Sequence, residues 1–259
     1  MDNPKTTADD IQYVISHLCV TSTQKRLSSD EALERLYKSL RDQYLKLQFD
    51  PILVKKQEYY YKILAQGCRI FAKLKGIKIL HKERIADNKP LIFTSNHIGS
   101  YDQFFIPALL GTTPIHYLVK KKVTTWPVRW NLLYKPTGAI VVDLDSMSSW
   151  KQAKARIAQY VLYGKRVFIF AEGSRRGEKN IGEFSAGVSQ IAQETGAEVG
   201  TLAIKNCASL RSRNPIICMG DTLSVGPREN LKLATERIRQ CVINAYNDIL
   251  AYEEGITKK

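Results

Sequence analysis

The chain has 259 residues, of which 44% are hydrophobic, which is enough for one large domain or a domain with an appendage. It carries 39 Lys and Arg residues against 25 Asp and Glu residues, a net charge of +14. No apolar run approaches the roughly 20 residues that span a bilayer, so we expect no membrane-spanning helix. The first 20 residues hold three Asp and one Lys, unlike the basic and apolar start of a cleavable signal.

The positive charge is concentrated in the second segment of the chain. Residues 1–50 hold 7 basic and 8 acidic side chains, residues 51–90 hold 10 and 3, and residues 91–259 hold 22 and 14. We therefore expect an anionic partner to meet the protein at 51–90. A membrane surface, a nucleic acid and a phosphorylated substrate all fit that requirement.

The cysteines and histidines form no metal-binding pattern. The five cysteines stand at 19, 68, 207, 218 and 241, an odd number without a Cys-x-x-Cys, and we expect reduced core residues in a cytosolic protein. No histidine has a second ligand at a spacing that favours a metal, so neither a structural nor a catalytic metal is expected.

The first 75 residues contain only helical patterns. Apolar residues predict a short helix over 8–20 and an amphipathic helix that starts at a capping box at Ser28 and ends near Asp50.

The next predicted helix, about 54–74, combines an apolar stripe with a basic one. The apolar stripe consists of Tyr60, Ile63, Leu64, Gly67, Phe71 and Leu74, and the polar stripe of Lys62, Gln66, Arg69 and Lys73. This pattern suits a helix that lies in a membrane interface. It equally suits a helix packed on its own domain with a solvated basic face, and both interpretations stay open.

From residue 76 short β-type runs alternate with helical ones. The predicted strands are Ile77–Leu80, Leu91–Thr94, Ile115–Val119, Ala139–Val142, Val167–Phe170, Val199–Ile204 and Ile216–Met219. Helices are predicted over 101–110, 125–134, 147–163, 185–196 and 228–253. This alternation is typical of an α/β fold with a mostly parallel sheet flanked by helices. We therefore predict a helical N-terminal appendage over 1–75 and an α/β domain over 76–259.

Polar residues follow the predicted strand at 91–94. His97 comes in the turn after that strand and Asp102 five residues later, which lets the carboxylate fold back on the imidazole. A carboxylate on one ring nitrogen leaves the other nitrogen free to accept a proton from a hydroxyl group. A helix-capping aspartate beside a surface histidine would have the same spacing.

A second charged turn follows the apolar strand at 167–170. It reads Phe170-Ala171-Glu172-Gly173-Ser174-Arg175, in which Gly173 permits a tight turn and Arg175 offers a fork for phosphate or carboxylate. Because strand ends carry the chemistry of α/β proteins, we expect both turns to line one cleft. The alternative is a surface turn with an ordinary ion pair. There is no nucleophile elbow, P-loop, His-Glu-x-x-His or dinucleotide glycine fingerprint.

The order of these motifs resembles that of the glycerolipid acyltransferases, bacterial 1-acyl-glycerol-3-phosphate acyltransferases in particular. Asn96-His97-x4-Asp102 is similar to their first signature block, Gly138-Ala139-Ile140-Val141-Val142-Asp143 to the second, and Phe170–Arg175 to the third. The run Val119-Lys120-Lys121-Lys122 before Trp126-Pro127 resembles their lysine-bearing segment. The resemblance covers roughly residues 60–210.

This resemblance implies transfer of a fatty acyl group from a CoA or carrier-protein thioester to a lipid hydroxyl, with no other cofactor and no acyl-enzyme. His97 would be the general base and Asp102 would orient it. Lys120 and Arg175 would hold the acceptor phosphate, and Glu172, Gly173 and Ser174 would shape that wall. The implied partners are acyl-CoA or acyl carrier protein, a lipid acceptor and an anionic membrane surface, with the protein cytoplasmic and peripheral on the inner face of a membrane.

Three positions depart from the family pattern. Leu144 stands where the family has Arg, Ser185 where it has Lys, and Gly200-Thr201-Leu202 where it has Val-Pro-Val. The first two remove positive charge, so a lysophospholipid, an amino-acid lipid or a glycolipid stays open as acceptor beside 1-acyl-glycerol-3-phosphate. A basic nucleic-acid or membrane binding module is a remote alternative, since no RNA- or DNA-binding motif appears.

Overall fold

The structure is a computed structural model and describes residues 30–85, 91–177, 180–209 and 211–257. Its described strands form one seven-stranded sheet in the order β1-β7-β6-β2-β5-β3-β4. The strands are β1 Lys78–Leu80, β2 Leu91–Ser95, β3 Ile115–Lys120, β4 Ile140–Val142, β5 Arg166–Ile169, β6 Glu198–Lys205 and β7 Ile216–Leu223. The helices are α1 Asp30–Lys46, α2 Pro51–Leu74, α3 Asp102–Leu110, α4 Met147–Leu162, α5 Gly187–Thr195 and α6 Leu231–Thr257. The predicted fold class is therefore confirmed.

Five neighbouring strands are parallel, and this arrangement positions the site. β2 pairs with β6 and β5, β5 with β3, and β3 with β4, all in parallel. β7 is antiparallel to β6, and β1 pairs with β7 in parallel at the edge of the sheet. Thr94 of β2 is level with Ile169 of β5. The turns that follow β2, β5, β3 and β4 consequently meet at one edge of the sheet.

Both faces of the sheet are buried, which explains why its strands are nearly continuous apolar runs. Successive residues point to opposite faces. Ile92 and Val167 face a core formed with α4, α5 and α6, and Phe93 and Phe168 face a core formed with α2 and α3.

Helix α1 packs on α4 through a small core of its own and an internal ion pair. Tyr37, Leu40 and Tyr44 contact the α4 alanines, and all three are buried. The Tyr44 hydroxyl donates to Glu194 of α5 at 2.7 Å, and Lys154 Nζ lies 2.8 Å from the other carboxylate oxygen. Side chains of α1, α4 and α5 thus pack the N-terminal helical region against the sheet domain.

Helix α2 begins earlier than predicted, because Asp50 caps it. The Asp50 carboxylate accepts from the backbone N–H groups of Ile52 and Leu53 at 2.9 Å each, and Pro51 occupies the first turn.

The predicted apolar stripe of α2 does not coincide with the face that packs inward. The face that packs inward consists of Val54, Tyr61, Ala65, Cys68 and Ala72. Of the predicted stripe, Ile63 is 58% and Leu74 82% exposed. Small and large apolar residues lie on both sides of this helix, so periodicity alone cannot tell which side is covered.

The segment between β3 and β4 is not the single α-helix predicted over 125–134. It consists of a 3₁₀ turn at Lys121–Thr125, one α turn at Pro127–Arg129 and a π-helical turn at Trp130–Tyr134. In the π turn the Lys135 N–H donates to the Trp130 carbonyl at 2.9 Å. Such wide turns displace side chains from regular helical spacing and frequently occur at functional sites.

Several other sequence predictions can be placed. Cys68, Cys207, Cys218 and Cys241 are free thiols, the first three buried, as expected. No helix among the described residues is long and apolar enough to cross a bilayer. The predicted helix over 8–20, Cys19 and the start of the predicted capping box lie outside the described residues.

Candidate functional site

The principal cavity opens where the carboxyl ends of the parallel strands meet, and it measures about 350 Å³. Its apolar wall comes from β3, β4 and β5, and its polar residues come mainly from the turns that follow β2, β3 and β5. Among the described residues that line it are four cations and no carboxylate: Lys120, Lys122, Arg129 and Arg175. A cavity with this charge is suited to an anionic ligand that also has an apolar part.

His97 lines this cavity and is held by Asp102. The distance from His97 Nδ1 to Asp102 Oδ2 is 2.7 Å. The same carboxylate accepts from the N–H groups of Ile98 at 2.8 Å and Gly99 at 3.0 Å, and Asp102 has no exposed surface. With two backbone N–H groups already donating to this carboxyl group, the imidazole contact fits Nδ1–H donating to Oδ2, which leaves Nε2 as an acceptor. This is the arrangement that the sequence predicted.

The two turns are joined through the backbone of His97. Its N–H donates to Glu172 Oε1 at 3.1 Å, and its carbonyl accepts from the Arg176 N–H at 2.9 Å. The imidazole also stacks on the Phe170 ring, with 4.0 Å between ring centroids. Residues that follow β5 therefore hold His97 through three contacts, one to its backbone N–H, one to its carbonyl and one to its ring.

Glu172 occupies a different place from the one predicted. Its side chain is buried and is not among the described residues that line the cavity, and it accepts from the N–H groups of His97 and Gly182, the latter at 3.4 Å. Burial raises the pKa of this carboxyl group. Gly173, Ser174 and Arg175 do line the cavity, and so does Lys120. The turn thus presents three residues to the ligand space, while Glu172 supports the histidine.

Two glycines make the turns possible. A Cβ on Gly99 would lie 2.5 Å from the backbone of Ala208, so a side chain at this position would push the His97 turn away from the β6–β7 connection. Gly173 has φ of 65°, a left-handed conformation that other residues adopt at a cost.

Sequence reasoning missed several cavity residues. Gln103, Lys122, Arg129 and Tyr134 line the cavity with the predicted ones. Tyr134 accepts from Gln103 Nε2 at 2.7 Å, and burial raises its pKa, while Arg129 and Arg175 act in the opposite direction. The α turn at Pro127–Arg129 places Arg129 on the cavity and the π turn places Tyr134 there, and no motif spacing indicated these conformations.

One group of side chains away from the cavity has the composition of a metal site. The ligand atoms of His81, Cys218 and Asp248 lie within 4.8 Å of one another. Arg84 Nη1 lies 3.7 Å from Asp248 Oδ2, and burial raises the pKa of the Cys218 thiol to about 12. The arginine already supplies the positive charge and the thiol is protonated at neutral pH. The three residues are far apart in sequence, which is why the spacing analysis did not bring them together.

The chain is similar in sequence to known acyltransferases. A family model described as Acyltransferase matches residues 76–205, half of the chain. The chain is 25% identical over 124 residues to a probable 1-acyl-sn-glycerol-3-phosphate acyltransferase of Mycoplasma genitalium, over 46% of each protein. It is 22% identical over 154 residues to a protein of the same description from Mycoplasma pneumoniae, over 57% of this chain and 56% of that one. The chain thus spans about half the length of the curated relatives it matches.

A solved structure shares the fold over nearly the whole chain. It is the crystal structure of the 1-acyl-sn-glycerophosphate (LPA) acyltransferase PlsC from Thermotoga maritima, with a TM-score of 0.58 and 16% sequence identity. The superposition covers 92% of this chain and 90% of that one, and at this identity it shows the fold alone. From the family model that spans the His97 and Glu172 turns, we conclude that the chain belongs to the acyltransferase family.

Proposed function

We propose that this protein transfers a fatty acyl group from a CoA or carrier-protein thioester to the hydroxyl of a glycerolipid, with 1-acyl-glycerol-3-phosphate as the acceptor. The observation that carries the proposal is the 2.7 Å contact between His97 Nδ1 and the buried Asp102 carboxylate, on the wall of a cavity that has cations and no carboxylate among its described lining residues. The names of the relatives point to the same acceptor.

In the proposed reaction His97 acts as general base. Nε2 takes the proton of the acceptor hydroxyl while the oxygen attacks the thioester carbonyl, and a tetrahedral intermediate forms. When that intermediate collapses, the carbon–sulfur bond breaks and the imidazolium returns the proton to the leaving sulfur, which departs as a free thiol. Asp102 holds the tautomer and stabilises the imidazolium. No acyl-enzyme is required, because the thioester is already activated.

In the proposed complex, different cavity residues serve the two ends of the substrates. Lys120 and Arg175 bring positive charge to the acceptor phosphate, with Gly173 and Ser174 beside them. The strand residues Leu118, Val119 and Ile169 give an apolar wall for the acyl chain near the thioester.

Docking on an anionic membrane is part of the proposal, because the acceptor is a lipid. Helix α2 has a second apolar face, opposite its buried one, on which Ile52, Tyr59, Ile63, Ile70 and Leu74 recur at steps of seven and four residues and are 55–82% exposed. Lys55, Lys62, Arg69 and Lys73 form an exposed row along one side of it. An exposed apolar stripe beside a row of cations is the pattern of a helix in a membrane interface.

A thiol-release assay with one acyl-CoA tests the reaction. We expect His97→Ala to abolish acyl transfer, and His81→Ala, which removes a histidine at the opposite edge of the sheet, to retain it. Both variants should unfold cooperatively near the wild-type temperature. Near-full activity of the His97→Ala variant would refute the proposed mechanism.

A second acceptor class is favoured by Leu144. This residue lines the cavity at the position where the family pattern has Arg, so one expected phosphate ligand is missing. A lysophospholipid, an amino-acid lipid or a glycolipid requires less positive charge there. A panel of acceptors in the same assay separates the two, since equal rates with 1-acyl-glycerol-3-phosphate and uncharged hydroxyl lipids would exclude the phosphomonoester as the preferred acceptor.

A further inference from the structure

Arg129 is the cavity cation that no motif identified. It lies on the α turn at Pro127–Arg129 and lines both the principal cavity and the open depression at its mouth. Arg175 lines the same two spaces. Both arginines act to lower the pKa of the Tyr134 phenol, against the effect of burial. The two guanidinium groups therefore approach the same ligand space from two different elements.

The Arg129 guanidinium is held in position by aromatic side chains. Its Cζ lies 5.3 Å from the centre of the Tyr101 ring and 5.4 Å from that of Trp126. Nη2 donates to the Tyr101 hydroxyl at 3.0 Å. A guanidinium that stacks on two rings keeps its planar fork oriented, so less conformational entropy is lost when it binds an anion.

The charge of Arg129 is not neutralised by a neighbour. No described carboxylate lies within ion-pair distance of it, and its contacts in the described structure are the two rings and the phenol. By contrast, Lys121 of the adjacent 3₁₀ turn is paired with Asp143 at 3.0 Å. A partly exposed arginine with no described counter-ion, on the wall of a cavity, can bind an anion there without breaking an existing ion pair.

Leu144 explains why such a cation is needed. It lines the cavity where the family pattern places Arg, and Ser185, where the pattern places Lys, is not among the residues that line it. We propose that Arg129 replaces the missing family arginine and, together with Arg175, binds the phosphate of the acceptor lipid. This inference rests on the proposed function and names one of its specificity-determining residues. The positive charge of the site is thus kept, but it comes from the segment between β3 and β4.

The test compares two acceptors that differ only in the phosphate. With acyl-CoA as donor, we expect Arg129→Met to lower kcat/KM for 1-acyl-glycerol-3-phosphate about 10- to 100-fold, mostly through KM, because a charge-assisted fork is lost. The kcat/KM for monoacylglycerol and the KM for acyl-CoA should stay at wild-type values. Arg129→Lys should give an intermediate loss, since it keeps the charge without the fork.

A rescue variant distinguishes lost charge from lost packing. Leu144→Arg in the Arg129→Met background returns an arginine to the same cavity, and recovery of phosphate-acceptor activity would support the inference. An equal loss with both acceptors would overturn it in favour of a structural role. A raised KM for acyl-CoA would overturn it in favour of the donor phosphates. Failure of the proposed function would instead appear in the wild-type protein, as the absence of acceptor-dependent thiol release.

Discussion

At the scale of single residues, the contact between His97 and Asp102 is defined by hydrogen bonds that a sequence can only suggest. Asp102 serves two purposes with one carboxylate: it accepts from the turn that carries His97 and from the imidazole itself. This double use explains the five-residue separation, because the first turn of α3 returns the carboxylate to the strand end.

Asp102→Asn should lower kcat by about three to four orders of magnitude. The amide can still accept from the Ile98 or Gly99 N–H, but its NH₂ cannot accept from Nδ1, so the imidazole takes the tautomer with the proton on Nε2. Steady-state thiol release measures the loss. The free energy of unfolding, measured by urea titration, is the control, and a variant with more than a tenth of the wild-type kcat would contradict the assigned role.

A second histidine gives the protein an acid-sensitive position. His116 of β3 is 1% exposed and stacks on Tyr160 at 4.2 Å, and burial lowers its pKa to about 4. The unfolded chain takes up this proton near pH 6.5 and the folded chain only near pH 4, so stability falls as the pH drops between these values.

His116→Gln should remove most of that dependence, about 3 kcal/mol in the free energy of unfolding between pH 7 and pH 4. Urea denaturation across this range measures the slope. An unchanged slope in the His116→Gln variant would show that other groups cause the acid sensitivity.

At the scale of elements, the sequence predicted all seven strands but not how the helices face them. Each strand is a short apolar run between turn residues, and burial on both sides makes the run unambiguous. The sequence left open which face of α2 is covered, because apolar residues surround this helix, and the π turn at Trp130–Tyr134 has no sequence signature. The contacts of the Arg129 and Glu172 side chains could not be predicted for a related reason. They join residues that are 28 and 75 positions apart in the sequence.

The junction between α1, α4 and α5 depends on a buried ion pair. Lys154 and Glu194 are 3% and 2% exposed at their side chains, and Tyr44 and Gln190 also donate to the Glu194 carboxylate. Removing one partner leaves the other charge buried without compensation, which costs about 3–5 kcal/mol.

Lys154→Met alone should therefore destabilise the protein by about that amount, and Lys154→Met with Glu194→Met by less than the sum of the single changes. Chemical denaturation of the four proteins gives the coupling energy. Tyr44→Phe, which removes only the hydroxyl, should cost about 1 kcal/mol. Additive effects of the two methionine substitutions would mean that the pair does not couple the helices.

At the scale of the whole molecule, the net charge of +14 raises the question whether vesicle binding depends on overall charge or on one surface. Overall charge attracts an anionic surface at a distance, whereas the α2 face also buries apolar side chains. The proposal assigns binding to α2.

The triple change of Lys62, Arg69 and Lys73 to Glu should strongly reduce flotation with anionic vesicles. The matched control changes Lys38, Lys46 and Lys232 to Glu, three exposed cations on α1 and α6, and alters the net charge by the same amount. It should float almost as the wild type does at about 0.15 M salt, where exposed charges more than about 8 Å apart are screened. Equal losses in both variants would assign binding to net charge.

The connection between the two strand-end turns has a consequence for engineering this protein. The backbone N–H and carbonyl of His97 both form hydrogen bonds with the loop after β5. Exchanging that loop therefore changes the position of His97, the proposed base. A chimera that imports residues 170–176 from a relative with another acceptor preference should lose rate with every acceptor, including the one it was built for. To change the acceptor preference, the turn after β2 and the turn after β5 will have to be exchanged together.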